Sequence, residues 1–123
     1  MAANYNINIE QGSTFELPLM FTMAGAPIDL TGYTFAGKIR ETTSSPSAVA
    51  NFSFAIANQF TNPGEVTASL SAATTAAIPA AVASASNPRP NKTYIFDIEA
   101  TKPDLSVHRF IQGNAVLSPE VTK

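Results

Sequence analysis

The stretch TYIFDIEA, residues 93–100, sets the pattern from which the fold can be read. Apolar and polar residues alternate along it, so one side of an extended chain carries Tyr94, Phe96, Ile98 and Ala100. Because successive side chains of a β-strand point to opposite faces, this alternation predicts a strand with one buried face. Asp97 and Glu99 then lie on the opposite face, which is open to solvent.

The same two-residue period recurs elsewhere and predicts a protein built from strands. The further runs are residues 5–9, 14–21, 33–40, 51–56 and 65–70. Segments rich in Gly, Pro and Asp separate them, as is typical of tight turns. About seven short strands with such turns predict an antiparallel β-sandwich or barrel in a single domain, residues 1–123. Pro18 cannot donate a hydrogen bond to a neighbouring strand, so its strand is expected at a sheet edge or a bulge.

The segment SAATTAAIPAAVASASNPRPNK, residues 71–92, has a different composition. Its first half is rich in alanine and begins with Ser71, which can cap a helix, so one short helical turn is expected. Pro88 and Pro90 end any helix and leave the Ser84–Lys92 loop outside it.

The chain is poor in charge, with 13% charged residues and a formal net charge of −2 over 123 residues. Its seven Lys and Arg residues are scattered, which argues against binding to nucleic acid or to anionic membranes. Such a surface suits either a subunit packed into an assembly or a soluble domain with uncharged polar groups. There is no cysteine, which excludes disulfides. The N-terminus lacks the pattern of a signal peptide, so synthesis in a cytoplasm is expected.

The carboxylates Asp97 and Glu99, with the single histidine His108 and its neighbour Arg109, raise the question of a catalytic cluster. We expect an ordinary pair of strands instead, with Asp97 opposite Arg109, because cross-strand pairing favours acid against base. The sequence shows no nucleophile elbow, phosphate loop or further metal ligands. Weaker alternatives are a surface Ca²⁺ on the two carboxylates and a metal-dependent hydrolase that also uses His108. The sequence therefore predicts no catalytic, cofactor-binding or metal-binding residue, and no enzymatic activity.

The two ends of the chain are candidate contact segments. The N-terminal run and the tail SPEVTK, residues 118–123, are short, extended and low in charge. Each can pair along the sheet edge of a neighbouring subunit or complete the sheet of its own chain, and both readings stay open. Among the aromatic residues, Phe60 lies outside the strand pattern and is expected to be partly exposed.

Five segments in order carry a resemblance: IEQGSTFELPLMF, GAPIDLTGYTFAGKIRE, SLSAATTAAIP, YIFDIEAT and HRFIQGNAVLSPEVTK. Together they resemble a family of small virion proteins of tailed, cyanophage-like bacteriophages. They are also similar to N-terminal domains of phage baseplate and fibre proteins. The matching positions are Gln11, Gly12, Asp29, Leu30, Thr31, Gly32, Tyr33, Asp97, Glu99, Arg109, Gly113, Pro119 and Val121. Gly113 interrupts a strand and is expected to mark a bulge. The chain departs from relatives in the longer segment AAVASASNPRPNK.

The resemblance implies an immunoglobulin-like β-sandwich with a non-catalytic structural role in a phage particle, made in the host bacterial cytoplasm. The first expectation is an attachment or adaptor role at the tail, baseplate or neck. The first alternative is a decoration or cement protein of the capsid, and a further alternative is a carbohydrate-binding module for host recognition. Expected partners are other virion proteins in a multimeric arrangement, contacted through the termini, the sheet edges and the Ser84–Lys92 loop.

Overall fold

The computed structural model describes residues 3–122, and its regular secondary structure is almost entirely β-strand. The strands are β1 (Ala3–Asn4), β2 (Ile7–Glu10), β3 (Phe15–Met20), β4 (Thr22–Met23), β5 (Ala26–Pro27), β6 (Thr34–Arg40), β7 (Ala50–Asn51), β8 (Ser53–Ile56), β9 (Glu65–Leu70), β10 (Lys92–Thr101) and β11 (Val107–Ser118). One short helix, α1 (Ala72–Ala76), follows β9. The expected all-β fold with one helical turn is confirmed.

Two main sheets face each other across the core. The larger has the strand order β1-β11-β10-β6-β7, with β2 also paired to β11, and the smaller has the order β3-β9-β8. The chain passes from one sheet to the other at Phe52, between β7 and β8. This arrangement matches the strand order of immunoglobulin-like sandwiches. The short β4 and β5 form a separate hairpin around Ala24 and Gly25, which both take positive φ as a tight two-residue turn requires.

The core lies on the inner faces of these sheets. Tyr94, Phe96, Ile98 and Ala100 are all buried, as their alternation predicted. They pack with alternate residues of the other strands, and the fully buried members include Ile9, Ile39, Leu70 and Leu117. Pro18 lies in β3, which is an edge strand of the smaller sheet, so its missing N–H leaves the sandwich intact.

The N-terminal run completes the sheet of its own chain. Both β1 and β2 pair with β11, and they run parallel to it, whereas the other pairings are antiparallel. Between them, the backbone around Tyr5 passes directly over Gly113, where a Cβ atom would overlap the Tyr5 carbonyl group. Gly113 therefore permits a close backbone approach, and the bulge predicted at this glycine lies elsewhere in β11.

The bulge lies opposite the step from Ile98 to Glu99. On the turn side Glu99 faces Arg109, and beyond the bulge Ile98 faces Ile111, so Phe110 is the extra residue. The predicted register with Asp97 opposite Arg109 is wrong, because Asp97 faces Gln112. The turn between the strands, residues 102–106, is two residues longer than that register requires, and the inserted Phe110 adds one more, so the pairing shifts by three residues.

Side-chain hydrogen bonds fix the turn before β3 to the helical segment. Ser71 caps α1 by accepting a hydrogen bond from the Thr74 amide at 3.2 Å, as predicted. The Thr75 hydroxyl is fully buried; it donates to the Ser13 carbonyl at 2.8 Å and accepts from the Gly12 amide at 3.0 Å. This one hydroxyl joins α1 to the start of the smaller sheet.

Replacing Thr75 with valine keeps the shape of the side chain but removes its hydroxyl. The Gly12 amide and the Ser13 carbonyl then lose a buried partner, so we expect the free energy of unfolding to fall by about 1–3 kcal/mol. Urea denaturation measures this change. Thr75→Ser is the matched control, since it keeps the hydroxyl and loses one methyl group. A serine variant that loses as much stability as the valine variant would contradict this role of the hydroxyl.

Replacing Gly113 with alanine tests the close passage of the N-terminal run. The added Cβ atom must displace the Tyr5 backbone, so we expect a loss of about 1–3 kcal/mol in unfolding free energy. The Tyr5 amide, which donates to the Gln112 carbonyl at 2.8 Å, should also exchange its hydrogen faster. Asn114→Ala on the same strand is the control and should stay within about 0.5 kcal/mol. Unchanged exchange at Tyr5 would argue against the contact.

Candidate interaction site

Asp97, Glu99 and Arg109 lie on the outer face of the larger sheet, whereas His108 faces Ala100 and so lies on the opposite side of β11. Arg109 Nε lies 3.4 Å from Asp97 Oδ2, and both side chains are substantially exposed to solvent. Their pairing is diagonal, because the directly facing residues are Glu99 and Arg109. His108, which precedes Arg109 in β11, is exposed. An exposed pair of this kind contributes about 0.2–1 kcal/mol to stability.

These residues do not assemble a metal site in the described part of the chain. Among residues 3–122, no three His, Cys, Asp or Glu side chains are grouped so that they can hold a metal ion. The surface Ca²⁺ considered on Asp97 and Glu99 therefore lacks a third side-chain ligand from these residue types.

A shallow groove of about 580 Å³ crosses this outer face between β6, β10 and β11. Several of its polar side chains are paired. Arg109 donates to Gln112 at 3.3 Å, Gln112 donates to Asn4 at 3.2 Å, and Lys38 donates to Asn51 at 2.8 Å. The aromatic residue in its lining, Phe96, is buried, so it offers no ring on which a sugar could stack.

A second surface lies at one end of the sandwich, where three loops meet. We call it the loop end; it comprises residues 21–33, 57–64 and 102–106 and the strand ends that adjoin them. Gln59 Oε1 accepts hydrogen bonds from the amides of Leu30 and Gly64, both at 2.9 Å, and so joins the first two loops. The third loop packs on the first, where Pro103 lies against Gly32.

The loop end has an apolar surface. Nine large apolar side chains are exposed within residues 3–122, and six of them are at this end: Met20, Met23, Ile56, Phe60, Leu105 and Val107. Three of these project from separate loops: Phe60 is 99% exposed, Leu105 80% and Met23 66%. Extended apolar surface on a soluble protein commonly marks an interaction site.

The loops that carry these side chains are held by internal hydrogen bonds. The Phe60 amide donates to the Asn58 side chain at 2.9 Å, and the Asn62 amide donates to the Asn58 carbonyl at 2.7 Å. In the third loop, the Leu105 amide donates to the Lys102 carbonyl at 2.9 Å. The exposed apolar side chains therefore stand on a backbone of defined shape.

Leu105 has an unusual backbone conformation for its residue type. Its φ of 72° lies in the left-handed region, where glycine or asparagine is the usual residue. A bulky residue held there costs about 1–3 kcal/mol. Packing of the leucine side chain inside the protein offsets little of this cost, because most of the side chain faces solvent. Backbone strain and apolar exposure at one residue are typical of functional positions.

Two exposed carboxylates flank the apolar side chains. Asp29 Oδ1 accepts hydrogen bonds from the Thr31 hydroxyl at 2.6 Å and the Thr31 amide at 3.0 Å. Asp104 Oδ1 accepts the equivalent pair from Ser106, at 2.6 Å and 2.9 Å. These hydroxyl and amide donors lower the pKa of both carboxyl groups, with the hydroxyl as the larger cause in each case. Both groups thus carry full negative charge at neutral pH.

The segments predicted as contacts lie away from the loop end. The Ser84–Lys92 loop is exposed and irregular, with a turn in which the Ser84 amide donates to the Asn87 carbonyl at 3.0 Å. Lys92 already belongs to β10. The tail is tied to the body of the protein by the Glu120 amide, which donates to Gln11 at 2.9 Å. Lys123 lies outside the described residues.

Sequence reasoning identified one of the three loop residues. Phe60 was expected to be partly exposed and is fully so. The sequence pattern does not single out Met23 and Leu105, because both lie in segments that it predicts as turns. The available signal was a large apolar residue inside each turn sequence, MAGAP and KPDLS, where small or polar residues are usual.

Comparison with known proteins gives no family for this chain. No family model and no curated protein matches it. Among solved structures, a sialyltransferase from Photobacterium damsela shows similarity over 97% of this chain at 11% sequence identity and a TM-score of 0.35. The chain spans 18% of the length of that protein. Similarity at this level does not bear on function. Within residues 3–122, no helix has the length and apolar character needed to cross a membrane.

The lowered pKa of Asp104 predicts a pH-dependent contribution to stability. Its folded-state pKa lies below the unfolded value of about 3.9, so the contribution is present above that value. It is lost as the pH falls through the folded-state pKa. We therefore expect Asp104→Asn to be less stable than the parent at pH 7, with the difference shrinking by pH 3. Urea denaturation across this range measures it.

The Ser106→Ala variant supplies the control for this experiment. Without the hydroxyl donor, the change from Asp104 to asparagine should matter less at pH 7, so the two substitutions should not be additive. A stability difference that stays constant from pH 7 to pH 3 would argue against the assigned cause.

Proposed function

We propose that this protein is a non-enzymatic structural protein of a tailed-bacteriophage particle, which joins components at the tail, baseplate or neck. The observation that carries the proposal is the concentration of exposed apolar side chains at the loop end. Six of the nine such residues in the described chain lie there. The isolated protein would be more soluble if these residues were scattered or polar. A surface of this kind is expected to be covered by another protein in the functional state.

The resemblance to phage virion proteins supplies the biological setting of the proposal. Its matching positions fall where they serve the fold. Gln11 accepts a hydrogen bond from the tail and donates to the Ile78 carbonyl at 2.9 Å, and Gly12 has φ of 86° beside the Glu120 carboxylate. Asp29 and Gly32 shape a turn. A pattern made of turn and packing residues supports a structural role for the chain.

The arrangement of charged residues also supports a role without chemistry. Four polar side chains of the groove, Asn4, Asp97, Arg109 and Gln112, are paired with one another on an open surface. Catalysis needs a positioned nucleophile, base or metal in a site that excludes water. Asp97 and Glu99 instead lie on the open outer face of β10, and His108 points to the other side of the sheet.

Cryo-electron microscopy of purified particles, with focused maps of head, neck and tail, tests this proposal. We expect density for the sandwich in a ring at the neck, tail or baseplate. Many copies on the capsid lattice would instead favour the decoration or cement role. Absence of the protein from the particle, checked by mass spectrometry of the same sample, would overturn the structural role in either place.

A further inference from the structure

We infer that the loop end inserts Met23, Phe60 and Leu105 into an apolar recess of a neighbouring virion protein whose rim carries Lys or Arg residues. This inference rests on the proposed function and adds the contact residues and the chemistry of the partner. It assigns a role to a surface that the sequence motifs did not indicate.

The loops that carry the three side chains are held on a rigid aromatic base. Beneath them, Phe21 stacks on Phe110 with ring centroids 3.8 Å apart and meets the edge of Phe35 at 5.3 Å. Leu30, which is fully buried, belongs to the same cluster. Because the loops are fixed to this aromatic base and to one another, little ordering is needed when a partner binds.

The exposure of the apolar side chains determines what they can contact. Phe60 and Leu105 are almost wholly exposed, so their side chains are available to a partner. Large apolar residues gain most when they are enclosed in a fitted pocket and lose contact with water. Three such residues on separate loops suit a concave apolar recess better than a flat polar surface.

Charged residues lie around the three apolar side chains. Asp29 and Asp104 are exposed beside the apolar residues, and Glu65 is half-buried at the adjoining strand end. Lys102 is the basic residue within the three loops. The rim is therefore acidic, and a partner with Lys or Arg around its recess complements it.

The same charges argue against two other occupants. Loops that insert into anionic membranes combine apolar tips with basic residues, whereas these apolar tips are bordered by carboxylates. Contact with the loop end of a second copy would place like charges against each other. A protein partner with a basic rim meets both requirements of the surface.

Photo-crosslinking in intact particles tests the contact. Phe60 is replaced by benzoylphenylalanine, and Val82, which is 93% exposed away from the loop end, receives the same replacement as the control. We expect crosslinks from position 60 to one virion protein, at an apolar segment flanked by Lys or Arg. Crosslinks from position 82 alone, or crosslinks from position 60 to lipid, to another copy or to an acidic segment, would overturn the inference.

A binding experiment measures the contribution of the three residues. The probe is a preparation of particles assembled without this protein, to which purified variants are added. The variant with Met23→Ser, Phe60→Ser and Leu105→Asn should bind at least about tenfold more weakly than the parent. Asparagine tolerates the positive φ at position 105, and the other two side chains are exposed, so the fold should persist by circular dichroism. Val82→Ser should bind like the parent.

Charge removal supplies an independent readout. Asp29→Asn with Asp104→Asn keeps an oxygen acceptor for Thr31 and Ser106 but removes both charges. We expect slower association with the particles and a smaller effect of salt on binding. Equal binding by the apolar triple variant and the parent would overturn the inference while leaving the structural role intact. Failure of the parent itself to bind particles would overturn the proposed function.

Discussion

The buried face of β10 is the constraint on which the rest of the structure depends. This strand lies between β6 and β11, so both of its backbone edges are paired, and its inner side chains fill the space between the two sheets. The bulge in β11 extends this packing, because it lets Phe110 and Ile111 both turn toward the interior. Phe110 then stacks on Phe21 and carries the core up to the loops.

The loop end has a fixed conformation because its loops are continuous with the core. Loops without such support sample many conformations, and ordering them on binding costs free energy. Here Gln59 ties two loops together, and short turns hold Phe60 and Leu105 in fixed positions. A strained backbone at Leu105 and three outward apolar side chains are costs to the isolated protein. A partner that covered the apolar side chains would remove them from water and offset these costs, as the proposed role in assembly requires.

The groove on the outer sheet and the loop end differ in what they offer a partner. In the groove, Arg109, Gln112 and Asn4 already satisfy one another, so a ligand would have to replace existing hydrogen bonds. At the loop end the apolar groups have no partner within the protein that removes them from water. The hydrophobic effect therefore favours binding at the loop end over binding in the groove.

Sequence patterns predicted the main strands, most of the turns and the buried face of most strands, because two-residue alternation and turn chemistry are local. Tyr5 and Ile56 are in phase with buried neighbours but are exposed. The patterns also predicted Ser71 at a helix start, Pro18 at an edge or a bulge, and Phe60 outside the core. The parallel pairing of the N-terminal run, the bulge at Phe110 and the role of Gly113 follow from the three-dimensional packing, since each depends on residues distant in sequence. The loop end could not be predicted from the sequence for the same reason. Met23, Phe60 and Leu105 lie far apart along the chain, and the folding of three loops to one end brings them onto one surface.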